Sequence, residues 1–368
     1  MWWLILVPAL LVIPYLYISW NPHFGEQRTG KFKEKYSRSK QWDGKQFNNL
    51  EHTSMNIDPR EIPGLLRQQF TNTKGRAPMR AIPIVPFDAT AWNTSAQQAK
   101  FIWYGHSVIL LQIGGKNILI DPMLGPNAAP IAPFKVRRFS ENTLEIIDTL
   151  PPLDAILMSH DHYDHLDYPS IQRLRHVSNN FIVALGVGRH LEKWGVPASA
   201  IQELDWWDTV QLDNVTITFT PSRHFSGRGI SDRSRCLWGG FAFKTATASI
   251  YWSGDGGYGD HFKEVGEKLG PFDMGFMECG QYNPLWQQIH MFPEEAVQAA
   301  LDAKVQCSIP VHWGGFTLAL HHWREPAERY LAAAESQQHP AFIATPGKIH
   351  EAGMHEWEKE PEWWVASK

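Results

Sequence analysis

Residues 160–165 read His-Asp-His-Tyr-Asp-His and follow the mostly apolar run Asp-Ala-Ile-Leu-Met-Ser at residues 154–159. That run reads as a buried strand, so the hexapeptide would begin at the C-terminal end of a strand. In an extended segment its first two histidines point to the same side, and its second aspartate and last histidine follow where the chain turns away. A polar surface loop with scattered histidines is the alternative. Four ligand-type side chains in one small volume favour a metal site, with enough ligands for two ions.

Composition narrows the classes of protein to which the chain can belong. With 368 residues, 43% of them hydrophobic and 20% charged, the chain is globular rather than disordered. The formal net charge of −4 provides no positive field for nucleic acid, and we expect no nucleic-acid partner. The three cysteines lie far apart and predict neither a disulfide framework nor a Cys-x-x-Cys zinc knuckle, so we interpret them as reduced core residues.

The first twenty residues predict a membrane anchor. Residues 2–20 carry no charge, have aromatic side chains at both ends and reach the roughly 20 residues needed to cross a bilayer. No basic n-region or small-residue cleavage site is visible, which favours a retained single-pass transmembrane helix over a cleaved signal peptide. Residues 21–40 carry six Lys and Arg against two Glu. The positive-inside rule therefore places the catalytic body on the cytoplasmic face, at the inner membrane if the chain is bacterial.

Residue composition and hydrophobic periodicity divide the rest of the chain into three parts. Residues 21–100 are rich in Pro, Gly, Asn and Gln with little periodicity, and they predict an extended N-terminal arm. Residues 101–350 predict one layered α/β domain, and residues 351–368 form a C-terminal tail. The predicted strands cover residues 101–104, 107–113, 117–120, 154–159, 215–220, 237–243, 249–253, 274–277 and 308–311, and the predicted helices cover residues 169–176, 261–269 and 293–303.

Three further candidate ligands each follow a predicted strand. They are His224, Asp255 and His312. Taken singly, each histidine is more often a hydrogen-bonded loop residue, and Asp255 with the following glycine is an ordinary turn. Two zinc ions with a bridging hydroxide need about six or seven protein ligands, which is more than the hexapeptide supplies. Found together at strand ends, the three residues complete such a site.

The motifs around these ligands resemble those of one known family. They are Trp103-Tyr-Gly-His-Ser107, Ile120-Asp-Pro122, Ser159-His-Asp-His-Tyr-Asp-His-Leu-Asp-Tyr168, Glu203-Leu-Asp-Trp-Trp207, Thr220-Pro-Ser-Arg-His224, Gly254-Asp-Gly-Gly-Tyr258, Pro293-Glu-Glu-Ala-Val297 and Val311-His-Trp-Gly314. Over roughly residues 100–330 the chain resembles the N-acylphosphatidylethanolamine-hydrolysing phospholipase D family and its bacterial relatives, within the metallo-β-lactamase superfamily. The resemblance implies an α/β fold, the αββα sandwich, with metals at the edge of the sheets.

The same resemblance implies a ligand set and a reaction. It assigns His160, His162 and His224 to one zinc ion and Asp164, His165 and His312 to the other, with Asp255 bridging both. It implies a membrane-anchored phosphodiesterase that cleaves N-acyl phosphatidylethanolamine, or a related phospholipid, to phosphatidic acid and an N-acylethanolamine by a metal-bridging hydroxide. Two Zn²⁺ per chain are the expected cofactors. The expected partners are the phospholipid substrate, the bilayer and a second copy of the chain as a homodimer.

Two other interpretations stay open. The superfamily shares one metal site among many chemistries, so a hydrolase of a soluble lactone or a small phosphodiester is the alternative. A membrane-tethered metal-binding protein without catalysis is the third, and the complete ligand set argues against it.

Four more residues are candidates beside the ligands. His290 stands where the family keeps a histidine close to the scissile group, and with Asp164 and Asp255 it completes the expected catalytic residues. It is a candidate to contact phosphate or to protonate the leaving alkoxide, and capping of the next helix is the alternative. Arg223 and Arg228 are candidate substrate contacts through lipid phosphate, or else part of a solvated basic loop. His106 is a candidate to orient a loop near the metals, or a buried structural histidine.

Overall fold

The structure is a computed structural model that describes residues 16–54, 58, 60–71, 73–94, 99–129, 131, 135–229, 231–353 and 363–366. Most of the predicted anchor, residues 1–15, lies outside these ranges, and residues 16–20 are helical. Among the described residues, none of the helices combines the length and the apolar character needed to cross a bilayer.

Seven strands form the first sheet. They are β1 (Lys100–Trp103), β2 (Ile109–Ile113), β3 (Lys116–Ile120), β4 (Ala155–Met158), β5 (Phe181–Ala184), β6 (Ile201–Leu204) and β13 (Ile349–Glu351), in the order β13-β1-β2-β3-β4-β5-β6. The pairs from β13 to β3 are antiparallel, and the pairs from β3 to β6 are parallel. Between β2 and β3, Gly114 and Gly115 both have positive φ (57° and 78°), which a two-residue hairpin of this twist requires.

Six strands form the second sheet. They are β7 (Thr209–Leu212), β8 (Val215–Thr220), β9 (Gly240–Lys244), β10 (Ser249–Trp252), β11 (Met274–Glu278) and β12 (Ser308–Val311), in the order β12-β11-β10-β9-β8-β7. The strands from β7 to β10 pair antiparallel, and those from β10 to β12 pair parallel. Successive residues of β10 face opposite sides of this sheet. Ile250 and Trp252 join the core between the sheets, and Tyr251 joins a separate core under the outer helices.

Helices cover the outer faces of the two sheets. The α-helices with printed bounds are α1 (Lys33–Tyr36), α2 (Ile62–Thr71), α3 (Ala89–Asn93), α4 (Tyr168–Leu174), α5 (Gly188–Lys193), α6 (His261–Lys268), α7 (Pro293–Asp302), α8 (Glu325–Ser336) and α9 (Trp363–Ala366). Helices α6, α7 and α8 pack over the second sheet, and α4 and α5 pack against the first. The predicted α/β layered architecture is therefore confirmed.

The described part of residues 21–94 contains short helices and no strand. It is nevertheless fixed to the domain, because Tyr36 and Phe47 are buried in the core between the sheets. The Phe47 N–H also donates to the Ser234 carbonyl at 2.8 Å. This places the chain around residues 47–54 beside the loop that follows β8.

Candidate metal centre

The seven predicted ligands follow four strands, β4, β8, β10 and β12. Each strand carries buried apolar residues into the core, and the candidate ligands follow its C-terminal end. Because the four strand ends meet at one edge of the two sheets, their loops converge. The structure thereby brings together all seven candidate ligands, His160, His162, Asp164, His165, His224, Asp255 and His312.

The first ligand group consists of three histidines. One ring nitrogen from each of His160, His162 and His224 lies within 4.8 Å of the others. His224 Nε2 is 3.1 Å from His162 Nδ1, and the rings of His160 and His162 are 4.5 Å apart at their centroids. Three imidazole nitrogens at this spacing can bind one divalent cation.

The second group combines a carboxylate with two histidines. Asp164 Oδ2 lies 3.1 Å from His312 Nε2 and 3.8 Å from His165 Nε2. His106 Nε2 is 2.9 Å from the same oxygen, and the His106 ring packs on that of His312 at 4.2 Å. His106 therefore contacts two members of this group, and its role in orienting a loop near the metals stays a prediction.

Asp255 lies between the two groups. Its Oδ2 is 3.0 Å from both His165 Nε2 and His312 Nε2, and 3.9 Å from both His160 Nε2 and His224 Nε2. A carboxylate that reaches both ligand groups occupies the position that a bridging ligand requires.

The residues at this centre fit bound cations. His160 Nε2 and Asp255 Oδ1 are buried and have no hydrogen-bond partner among the described residues, so they offer lone pairs to an ion. His224 Nδ1 donates to the Ile289 carbonyl at 2.9 Å, which leaves its Nε2 unprotonated at the centre. His165 Nδ1 lies 2.9 Å from Asp121 Oδ2, so Nε2 is the nitrogen that this ring presents to the centre.

Asp121 was missed as a functional residue by the sequence analysis. It also accepts hydrogen bonds from the Ser159 N–H and hydroxyl, both at 2.7 Å, so it orients the start of the hexapeptide as well as His165. A signal was available, because Asp121 directly follows strand β3 in one of the family-like motifs.

Electrostatics divide the centre into charged and neutral groups. Burial alone would raise the pKa of the Asp164 and Asp255 carboxyls, but the neighbouring histidines outweigh it and hold both pKa values well below their usual range. Burial, and then the other histidines, holds the pKa of His160 and His224 well below 6.5. For His165 burial lowers the pKa, but the nearby carboxylates, with Asp255 first, raise it to about 10. The neutral imidazoles are thus ready to bind a cation, and a metal at His165 must displace a proton.

His290 borders the centre and is held by a buried glutamate. Its ring lies 5.0 Å from that of His224 and 5.4 Å from that of His312. Glu278 Oε1 is 3.1 Å from His290 Nδ1 and 3.3 Å from His312 Nδ1. Glu278 therefore contacts both a predicted metal ligand and the predicted catalytic histidine. Sequence analysis missed it, although it is the polar last residue of the otherwise apolar strand β11.

The two arginines predicted to contact substrate are instead occupied within the protein. Arg228 is 2% exposed and donates to the carbonyls of His23, Asp161 and Leu166. Arg223 donates to two carbonyls and one hydroxyl of neighbouring loops. Neither lines the cavity at the metal centre. Both guanidinium groups therefore have hydrogen-bond partners within the protein, and their contact with substrate stays a prediction.

A second cluster of ligand-type side chains is better explained as structural. The side chains of Asp161, His190 and Cys236 come within metal-binding distance of one another. However, Arg189 Nη1 lies 2.8 Å from Cys236 Sγ and would repel a cation. His190 Nδ1 accepts from the backbone N–H of residue 26 at 3.0 Å, so its proton is on Nε2 towards Asp161. Through Asp161 and His190 the cluster fixes the hexapeptide to the backbone of residue 26.

A cavity of about 240 Å³ opens above the ligands. Its polar lining includes His162, Asp164, Asp255, Gln281, His290 and His312, and its apolar lining consists of Phe225, Trp286, Ile289 and Leu318. The ligand groups are therefore reachable from outside through a mouth of mixed polarity.

Known proteins share this architecture and these sequence features. The family described as "Beta-lactamase superfamily domain" matches residues 116–313. An uncharacterised protein of Mycobacterium tuberculosis is 38% identical over 320 residues, covering 84% of this chain and 85% of that protein. The N-acyl-phosphatidylethanolamine-hydrolyzing phospholipase D 1 of Caenorhabditis elegans is 31% identical over 267 residues, covering 68% of this chain and 75% of that protein.

Solved structures agree on the fold. An isothiocyanate hydrolase from Delia radicum gut bacteria superposes with a TM-score of 0.55 at 20% identity, covering 69% of this chain and 100% of that chain. At this identity the likeness concerns the fold alone. The family match and the ligand clusters add to this shared fold and identify the protein as a metal-dependent hydrolase. The chain belongs to the metallo-β-lactamase superfamily, in the group that includes the N-acyl-phosphatidylethanolamine-hydrolysing phospholipases D.

Proposed function

We propose that the protein is a dinuclear zinc phosphodiesterase that hydrolyses N-acyl phosphatidylethanolamine, or a related phospholipid, to phosphatidic acid and an N-acylethanolamine. The observation that carries the proposal is Asp255, whose Oδ2 reaches one ring nitrogen of four histidines from two ligand groups. One carboxylate shared in this way suits a pair of ions. Imidazole and carboxylate donors without a thiolate favour zinc.

The chain supplies the groups that act on the leaving oxygen. When bound, the metal ions provide a hydroxide nucleophile from water and stabilise charge on the phosphoryl oxygens. Glu278 accepts from His290 Nδ1, which leaves Nε2 of that ring available to the cavity. The His290 ring is thereby held at the cavity, where it can contact the phosphoryl group or pass a proton to the departing alkoxide.

The cavity and its mouth support a lipid substrate. A volume of about 240 Å³ suits the reacting phosphodiester group but not two acyl chains, so the chains must lie beyond the mouth. Phe225, Trp286, Ile289 and Leu318 give the cavity its apolar lining. The name of the nematode relative supports the same class of lipid. We propose further that residues 2–20 anchor the protein in the bilayer that presents this lipid, with the domain on the cytoplasmic side.

The proposal is tested by product analysis. Purified full-length protein is incubated with vesicles of N-acyl phosphatidylethanolamine, with vesicles of phosphatidylcholine, with a small lactone and with bis(p-nitrophenyl) phosphate, and mass spectrometry identifies the products. We expect equal amounts of phosphatidic acid and N-acylethanolamine, lost on treatment with a chelator and restored by Zn²⁺. Hydrolysis of the lactone alone would support the soluble-substrate alternative. Inactivity on all substrates with two metals bound would support a non-catalytic protein.

Truncation separates the anchor from the folded body. Deleting residues 1–20 should lower turnover of vesicle lipid by roughly 10²-fold through lost local concentration, and leave hydrolysis of bis(p-nitrophenyl) phosphate nearly unchanged. Deleting residues 1–29 should lower both activities and the Tm, because Arg228 and His190 lose partners in residues 22–29. Equal loss on both substrates after the shorter deletion would contradict an anchoring role and assign residues 1–20 to the fold.

A further inference from the structure

One residue of the N-terminal arm contacts a predicted metal ligand through both of its peptide groups. Asn49 Nδ2 donates to the His224 carbonyl at 2.8 Å, and the His224 N–H donates to Asn49 Oδ1 at 3.1 Å. Trp238 Nε1 donates to the same oxygen at 3.0 Å. We propose that Asn49 is a positioning residue that holds His224 in place for its metal ion, an inference that rests on the proposed metal site.

The chemistry of the asparagine side chain suits this task. A planar amide carries an acceptor and donors at a fixed separation, so it can pair with the N–H and the C=O of one residue as a neighbouring strand would. His224 lies in the irregular loop after β8, where no strand partner is present. Among the described residues, no other group bonds to the peptide N–H or C=O of His224. Asn49 thus makes the two hydrogen bonds to the His224 peptide groups that a neighbouring strand would make in a sheet.

The arm itself is fixed on both sides of Asn49. Before it, Phe47 is buried and its N–H donates to the Ser234 carbonyl at 2.8 Å. After it, the Ser54 N–H donates to Gln288 Oε1 at 2.8 Å, next to the residue whose carbonyl binds His224 Nδ1. Asn49 is therefore held from two sides against the loop that it restrains. Asn49 fixes the backbone of His224, and the Ile289 carbonyl fixes the orientation of the His224 imidazole ring.

Release of metal is the property that this role should control. A ligand that is free to move away from its ion allows the ion to leave, and loss of an outer partner typically lowers metal affinity or activity by about 10- to 100-fold. The test loads each variant with Zn²⁺, adds the chromogenic chelator 4-(2-pyridylazo)resorcinol and follows the rate of zinc release. Visible spectra of the Co²⁺-loaded proteins report the geometry at the three-histidine group.

Three variants test the role of Asn49, and a fourth, His224→Ala, tests the proposed metal site. Asn49→Ala should release one of the two zinc ions roughly 10- to 100-fold faster and change the Co²⁺ spectrum. Asn49→Asp keeps the shape of the side chain but loses the donor to the His224 carbonyl, so it should behave like Asn49→Ala. Asn48→Ala is the matched control, because its side chain binds Gln41 and Asp43 within the arm. It should behave like wild type.

His224→Ala is the reference for the proposed site itself. If it binds two zinc ions as tightly as wild type, the proposed metal site is wrong. If it loses zinc while Asn49→Ala and Asn49→Asp release zinc at the wild-type rate, the role of Asn49 is wrong. If only Asn49→Asp releases zinc at the wild-type rate, the hydrogen bond to the His224 carbonyl is not needed and Asn49 acts by packing alone. This result would also overturn the inference. Melting curves of all variants show whether each is folded.

Discussion

Asp255→Asn is expected to lower phosphodiester hydrolysis by roughly 10³-fold or more and to weaken the binding of both metal ions. The reason is the shared position of this carboxylate, which reaches His165 and His312 at 3.0 Å and His160 and His224 at 3.9 Å. A neutral amide is a poor bridge, and it also removes a buried negative charge that offsets the cations. Elemental analysis of the purified variant, together with its rate on bis(p-nitrophenyl) phosphate, measures both effects.

Asp260→Asn is the matched control for this prediction. Asp260 lies in the same loop, but its side chain is 88% exposed and faces Lys263. The control should therefore retain two metals and full activity. An Asp255→Asn variant that keeps two ions and the wild-type rate would rule out the bridging role.

His290→Ala is expected to lower kcat on the lipid substrate by roughly 10²- to 10⁴-fold with the metal content unchanged. His290 borders the cavity and lies 3.1 Å from Glu278, and it is not one of the seven predicted ligands. Its loss should therefore affect the transition state and not the metals. The measurements are kcat on N-acyl phosphatidylethanolamine vesicles and zinc content.

The leaving group decides which role His290 has. If it protonates the departing oxygen, the variant should recover much of its rate on a substrate with an activated leaving group such as p-nitrophenol. A pure phosphate contact predicts the same defect on both substrates. His321→Ala is a suitable control, because His321 binds the Gly280 carbonyl outside the cavity. Full lipid activity of His290→Ala would return this residue to a helix-capping role.

Much of the central architecture was predictable from the sequence because many of its strands are apolar or alternating segments bounded by polar residues. The predicted strands at residues 117–120, 215–220 and 249–253 correspond closely to β3, β8 and β10. Strands β5, β6, β7 and β13 and helices α5 and α8 are among the elements that were missed. The four apolar residues of β5 fit a short buried helix equally well, and β6 and β7 are partly exposed and only four residues long, which is too short for their period to be distinctive. Periodicity does not separate such short segments.

The candidate site was predictable where its residues follow strands and not elsewhere. The seven ligands each follow an apolar run, and the structure brings their side chains together. Asn49 follows no such run, and 175 residues separate it from the histidine that it contacts. The partners of Arg228 could not be predicted either, since a cation in a loop near a ligand resembles a phosphate contact until its hydrogen bonds are known. Contacts of this kind depend on tertiary packing, which local sequence patterns do not encode.

The hydrogen bonds from Arg228 to His23 also limit how the domain can move on a membrane. The same guanidinium holds the carbonyls of His23, Asp161 and Leu166, so residue 23 and the metal-binding hexapeptide move as one body. From residue 20, where the proposed anchor ends, to residue 23 the chain can span at most about 11 Å, even when fully extended. If residues 2–20 lie in a bilayer, as proposed, residue 23 stays within this distance of the anchor, and the metal-binding hexapeptide moves with it. Substrate would then be found by lateral diffusion of lipids towards a stationary pocket, and the density of the lipid in the membrane plane would set the encounter rate.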